Sequence, residues 1–345
     1  MNAADEAVLA AWWRTFLATA RLPDELELVH GRLVRSVRRG ELPSGPVHVK
    51  AMAFPRAKDR LRYLLRPLPG AHEAAMLRSV AAAGVPCPEV VAVRTARRCG
   101  LPFRSLLVLR SLPVALPAAE DGRRRLRDEL ALVERLLAAG IVHHDLHGGN
   151  FVRLVDGRLA VLDMQSARLR SVAHARSPAV RAMLGARMLR EREDVGDEEG
   201  LAELAAAGFV EGAALDVVRQ RLERERRRWH RTRLQRCFGE STEFRRGWRW
   251  NGCEHSWRGA PLPGRWQPHP RARAVWLGQR LLQLEQGRAL VFPAFFRKWW
   301  WLGGGGALYV PATCHDGRID AEVEAATAAA DRADRILAGV ARWKT

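Results

Sequence analysis

This 345-residue chain lacks paired cysteines and long apolar runs, and is short of acids relative to bases. Its five cysteines (Cys87, Cys99, Cys237, Cys253 and Cys314) include no CxxC pair. Cys253-Glu254-His255 and Cys314-His315 lack the paired ligand spacing of a zinc site, so free thiols in a reducing compartment are expected. No stretch reaches the ~18–20 apolar residues a spanning helix needs. The opening MNAADEAVLAAWWRTFLATA has early acids, no basic start, and Arg14 within its apolar run, so it does not read as a secretory leader. The expected setting is cytoplasmic, with peripheral contact at the inner face of a membrane left open. Acids are outnumbered, 38 against 57 Lys and Arg, for a formal charge of +19. Such a field attracts polyanions, although a solvated arginine-rich surface accounts for it equally well.

What is present is a globular composition, 48 % apolar. At roughly 100–200 residues per domain, the length suggests about two domains. Residues 4–20 carry a helical apolar stripe through Leu9, Trp12, Trp13, Phe16 and Leu17, with Pro23 as its stop. Leu26–His30, Leu33–Arg38 and Val47–Met52 alternate as strands, the last two separated by a Gly40–Pro46 break. The periodicity predicts a helix over 71–83, strands at Val90–Arg94 and Leu106–Arg110, and an amphipathic helix over 121–139 after a linker marked by Pro113 and Pro117. Further helices are expected over 178–191 and 214–233, the second ending in the basic run Arg219 to Arg233, and over 319–343. From 236 the chain turns rich in Trp and Gly, including Lys298-Trp299-Trp300-Trp301 and Gly303–Gly306; aromatic packing is the favoured reading there over a membrane-interface belt.

The chemistry concentrates in His143-His144-Asp145-Leu146-His147-Gly148-Gly149-Asn150. Asp145 and Asn150 stand at i, i+5, and a predicted hairpin (Phe151–Leu154, Leu159–Leu162, turning at Asp156-Gly157) then leads to Asp163. Phosphoryl transfer needs a group to orient or deprotonate the acceptor hydroxyl and oxygen ligands to hold Mg²⁺ against ATP phosphates. An Asp, a carboxamide and a second Asp supply those roles. Any one of them alone would serve to cap a turn or end a strand; their joint spacing is the specific signal.

These motifs resemble the catalytic and metal-binding loops of protein-kinase-like phosphotransferases, and within them the bacterial lipopolysaccharide kinase (Kdo/WaaP, InaA-like) family. His48-Val49-Lys50 with Arg56, Arg60, Arg62 and Leu64-Leu65-Arg66-Pro67 is similar to that family's third strand and basic connector. Glu73 followed by Gly84-Val85-Pro86-Cys87-Pro88, and Leu162-Asp163-Met164-Gln165-Ser166-Ala167-Arg168, are similar to its helix, strand entry and metal loop. The resemblance covers about residues 26–170. It implies that Lys50 binds ATP phosphates and that Glu73 holds Lys50. It makes Asp145 the base, with His147 beside the γ-phosphate or acceptor, and gives Mg²⁺ to Asn150 and Asp163. The hinge Arg110, Ser111 and Leu112, up to Pro113, would meet adenine. The chain departs from the pattern in having no GxGxxG between the first strands, where only Gly31 lies, no Gly after Asp163, and no A-P-E segment.

The implied fold is α+β and two-lobed. A helix over 1–23 would precede a small antiparallel-sheet N-lobe over 24–112 and a helical C-lobe over 113–235, with 236–345 as an extra C-terminal module. The implied reaction moves the γ-phosphoryl of Mg-ATP to a hydroxyl on lipopolysaccharide or another anionic glycolipid. A kinase for a small molecule or protein, and an inactive pseudokinase or polyanion-binding module, stay as alternatives. Nucleic acid is not an expected partner.

Overall fold

The computed structural model describes the chain apart from residues 1, 32–33, 56, 117–119, 191, 193, 242, 259–263, 288, 299–305, 312–315 and 339–345. Leu33, Arg56, Pro117, Trp299 to Trp301, Gly303 to Gly305, Cys314 and His315 thus lie outside the described residues. The chain forms two compact units, Met1–Glu223 and Arg224–Thr345. Among the described residues, no helix is long and apolar enough to cross a membrane.

The first unit opens with helix α1 (Ala3–Thr19), capped by Asn2, whose side chain accepts from the Asp5 N–H. The helix ends in a left-handed Ala20, before Pro23 is reached. Strands β1 (Glu27–Gly31), β2 (Arg35–Leu42) and β3 (Gly45–Ala53), helices α2 (Ala57–Arg62) and α3 (Pro69–Ala82), and strands β4 (Val90–Arg98) and β5 (Leu101–Arg110) follow. The five strands make one antiparallel sheet in the order β1-β2-β3-β5-β4. The Gly40–Pro46 cluster does not break the chain where expected. β2 runs through Gly40, where an added Cβ would sit 2.1 Å from Leu26 and 3.3 Å from Trp12. That glycine admits a packed neighbour instead of a turn.

Alternation along β3 splits the sheet into two faces. Val47, Val49 and Ala51 are buried with Trp12 and Phe16 of α1. His48, Lys50 and Met52 take the opposite face. Leu107 and Leu109 of β5 join a second core with Ala74 and Leu77 of α3, running on into helix α4 (Gly122–Ala138). The predicted stripe Leu126, Leu130, Val133, Leu136 and Leu137 is fully buried there, each side chain contributing about 1.5–3 kcal/mol. Gly140 ends this segment at φ 73°, where a Cβ would meet the Arg170 carbonyl at 2.4 Å.

Four short strands in two pairs follow: β6 (Ile141–His143), β7 (Phe151–Arg153), β8 (Leu159–Val161) and β9 (Ala167–Leu169), with β6 paired to β9 and β7 to β8. Helices α5 (Val172–Ala175), α6 (Pro178–Arg190), α7 (Asp197–Ala206) and the start of α8 (Ala214–Arg236) complete the unit. The basic run of α8 engages acids: Arg219 bridges to Glu198 of α7 at 3.0 Å and to Asp216 at 2.8 Å.

In the second unit, β10 (Phe244–Arg249), β11 (Gly252–Trp257), β12 (Gly264–His269), β13 (Ala294–Lys298) and β14 (Gly306–Pro311) form an antiparallel sheet in the order β10-β11-β13-β14-β12. Helices α9 (Ala272–Gln286) and α10 (Asp316–Ala338) pack with its inner face. Trp276 is buried edge-on to Phe244, as aromatic packing predicts, whereas Trp248 and Trp250 are exposed.

His255 is buried in this sheet, stacked on Phe295 with ring centroids 5.8 Å apart. Burial first, then Arg246 and Arg297, push its pKa from 6.5 down to about 4. The folded chain therefore resists a proton that the unfolded chain accepts below 6.5. This contribution to stability is complete above that pH and is lost as pH falls toward 4. Denaturant unfolding of the full chain should show lower stability at the acid end of that window, and His255→Phe should flatten the dependence. An unchanged slope in the variant would remove His255 as its source.

Candidate functional site

The segment after α4 is shaped by its own hydrogen bonds. Leu146 is buried and anchors it, while its neighbour Asp145 is exposed. His147 to Asn150 form a reciprocal cap. The His147 N–H donates to Asn150 Oδ1 at 3.0 Å, and the Gly149 N–H to His147 Nδ1 at 3.2 Å. His147 Nδ1 is thus an acceptor, which leaves its ring proton on Nε2 in the neutral form. The Leu162 N–H donates to the Asn150 carbonyl at 2.7 Å. The β7–β8 hairpin therefore returns the chain beside Asn150 and delivers Asp163.

Asp163 has a left-handed backbone, φ 55° and ψ 55°. Its Oδ1 lies 3.6 Å from Lys50 Nζ and 3.3 Å from an Arg35 nitrogen. Burial alone would raise this carboxyl; Lys50 and then Arg35 outweigh it and hold Asp163 below the usual carboxylate range. Lys50 also bonds Glu73 Oε1 at 2.5 Å, with Glu73 buried on α3. Arg35 reaches Gln165 at 2.9 Å with its other nitrogen.

His143 ties the two loops together. The Asp145 N–H donates to His143 Nδ1 at 3.3 Å, which places the ring proton on Nε2, and that nitrogen donates to the Asp163 carbonyl at 2.9 Å. The bond accepted by Nδ1 requires a neutral ring. Burial, the strongest influence, pushes its pKa down and favours that form.

Asp145, His147, Asn150 and Asp163 line one cleft of about 800 Å³, with Arg35 on its wall. Lys50 and Glu73 line a smaller pocket that shares Arg35 and Gln165 with it. The expected adenine hinge is not among the residues lining this cleft. Arg110 donates to the Gly45 carbonyl at 3.1 Å and the Ser44 hydroxyl at 2.8 Å. The Ser111 N–H donates to the Pro46 carbonyl at 2.9 Å, and the Leu112 carbonyl accepts from Val114 at 3.0 Å.

Beneath the His147–Asn150 turn lies a buried ion cluster that sequence reasoning does not anticipate. Glu129 of α4 accepts from Arg192 at 2.6 Å and from Arg125 at 3.0 Å, and Arg192 also pairs with Asp194 at 2.8 Å. Burial pushes the Glu129 carboxyl up, against the pull of Arg192 and Arg125. Arg35 was missed as well, because only the pairing of β2 with β3 places it. It pairs with Met52, and Val37 pairs with Lys50, so Arg35 shares the face of Lys50 by strand alternation.

Residues 34–195 match the lipopolysaccharide kinase (Kdo/WaaP) family. The matched segment contains Arg35, Lys50, Glu73, Asp145, Asn150 and Asp163, and it overlaps most of the stretch of about residues 26–170 that carries the resemblance. No curated protein matches the chain.

Proposed function

We propose, with that family match over residues 34–195 as premise, that the chain is an ATP-dependent phosphotransferase acting on a hydroxyl of a lipopolysaccharide core sugar. In this reading 24–112 and 113–235 are the two lobes of a kinase fold, ATP lies between them, and 236–345 is an added module. The observation that carries the reading is one shared cleft: an exposed Asp145 faces the same space as Asn150 and Asp163, and Asp163 is tied to the Lys50–Glu73 pair.

Among the described residues, no group of three or more His, Cys, Asp or Glu converges as a metal cage. Mg²⁺ held mainly by nucleotide phosphates and water needs only one or two protein oxygens, and Asp163 with Asn150 fits that donor set. When bound with ATP, the ion would neutralise charge on the phosphates. The chain's own residues do the rest. Lys50, fixed by Glu73, holds phosphate oxygens. Asp145 accepts the hydroxyl proton, and His147, with its proton on Nε2, donates toward the transferred group. The basic cleft wall, which includes Arg62, Arg66 and Arg168, suits an anionic acceptor.

The testing experiment follows labelled γ-phosphate from Mg-ATP into a cell-envelope extract of the host, separated into lipopolysaccharide, protein and small-molecule fractions. Label is expected in lipopolysaccharide and is expected to vanish with Asp145→Ala. Label only in the other fractions would overturn the acceptor while keeping the kinase; no Asp145-dependent label would overturn both. The Lys50–Glu73 pair gives a second expectation. Lys50→Met should cut kcat/KM for ATP by about 100-fold, of the order that positioning and electrostatic contacts supply. Glu73→Gln should cost less, and the double variant no more than Lys50→Met alone. Additive losses would separate the two residues.

A further inference from the structure

The connector between β3 and α3 displays leucine to solvent next to the cleft. Leu61, Leu64 and Leu65 are 71 %, 37 % and 94 % exposed. Arg62 and Arg66, also exposed, alternate with them. Such a cluster is costly in water unless something covers it.

The display is held in place. A single guanidinium, that of Arg97 on β4, donates to the carbonyls of Tyr63 at 3.1 Å, Leu64 at 3.0 Å and Arg66 at 3.0 Å, and to Gly100 at 3.1 Å. Arg60 fixes the approach by donating to the Phe54 carbonyl at 2.8 Å. Tyr63 turns inward, edge-on to the buried Phe54 with centroids 5.5 Å apart. Between these anchors, the Leu64-Leu65 tip is pushed outward. An arginine spent on three carbonyls of one loop builds a shape, and the shape it builds exposes leucine.

We infer that this connector docks the protein on an anionic lipid bilayer, with Leu61, Leu64 and Leu65 entering the headgroup boundary and Arg62 and Arg66 meeting lipid phosphates. The occupant follows from the pattern. Apolar tips flanked by arginine match a surface that is oily below and anionic above. The formal charge of +19 adds long-range attraction to the same surface. Arg62, Tyr63 and Arg66 also line the cleft that holds Asp145. Docking would therefore bring the cleft mouth to the bilayer, where a lipid-borne acceptor lies. That last step rests on the function proposed above; the docking itself does not.

The test is co-sedimentation of the full chain with vesicles, without nucleotide. Vesicles of phosphatidylcholine mixed equally with phosphatidylglycerol are compared with phosphatidylcholine alone. The parent protein should bind the anionic vesicles, and less so in high salt. Leu64→Ser with Leu65→Ser should lower the bound-to-free ratio about tenfold, in line with partial burial of the two leucine side chains at the headgroup boundary, at an unchanged melting temperature. Arg62→Gln with Arg66→Gln should weaken binding and blunt its salt dependence. Binding that survives the serine pair, or absent binding by the parent protein, would overturn the inference. So would a dimer of the parent protein, seen by sedimentation velocity, that the serine pair dissolves, because the leucines would then serve self-association. Phosphotransfer plays no part in these readouts, so the kinase reading and the docking stand or fall separately.

Discussion

Asp145→Asn is expected to lower kcat for phosphotransfer by about 10²–10⁴-fold, the range that general acid–base catalysis supplies. The melting temperature should hold, because the Asp145 side chain is exposed and substitutions at such positions usually change stability by no more than about 0.5 kcal/mol. Its structural bond is made by the backbone: the Asp145 N–H donates to His143, and the amide variant keeps it. KM for ATP should also hold, since the proposed nucleotide contacts lie elsewhere, at Lys50, Asn150 and Asp163. Loss of kcat with KM intact marks an interaction made in the transition state. Initial rates across ATP concentrations, paired with thermal unfolding, decide the matter. A variant within a few-fold of the parent rate would remove Asp145 as the base.

The second large effect is on stability. Glu129→Ala should destabilise the first unit by about 3–5 kcal/mol, the usual cost of leaving a buried charge without its partner. The Arg192 side chain is 4 % exposed and that of Glu129 is 0 %, so water cannot replace the lost carboxylate. Asp194 still holds one edge of the guanidinium, which puts the expectation at the lower end of that range. For a unit of this size the melting temperature should fall by about 10 °C. Glu129→Met combined with Arg192→Met should recover most of the loss, because neither charge then stays buried alone. Should the single variant melt with the parent, the cluster would be an ornament of the fold, not a support of the turn above it.

The Asp145–Asn150–Asp163 arrangement was readable because its geometry is local. Two residues share one short loop, and a hairpin of predictable strands returns the third. Lys50 and Glu73 were readable through the same resemblance, from a strand and a helix. Arg35 needed the register between β2 and β3, which no local pattern fixes. Glu129 and Arg192 were out of reach for another reason. On a charged helix surface, nothing local marks which Glu turns inward to meet an arginine 63 residues away. The second unit hid its sheet because strands such as GRWQPH lack apolar alternation; β12 is exposed along most of its length and pairs through its backbone. Trp-rich and Gly-rich composition spoke for packing and turns, and was silent on five strands.

The left-handed backbone at Asp163 bears on how such a site decays over generations. Asp and Asn enter that conformation readily, while most other residues are strained there. A lineage without the proposed phosphotransfer would face no such barrier at Asp145, whose side chain is exposed. Drift should therefore erase Asp145 first and leave Asp163, or Asn in its place, as a fossil kept by conformation. In a descendant of this chain, an intact residue 145 would be the better witness to living chemistry.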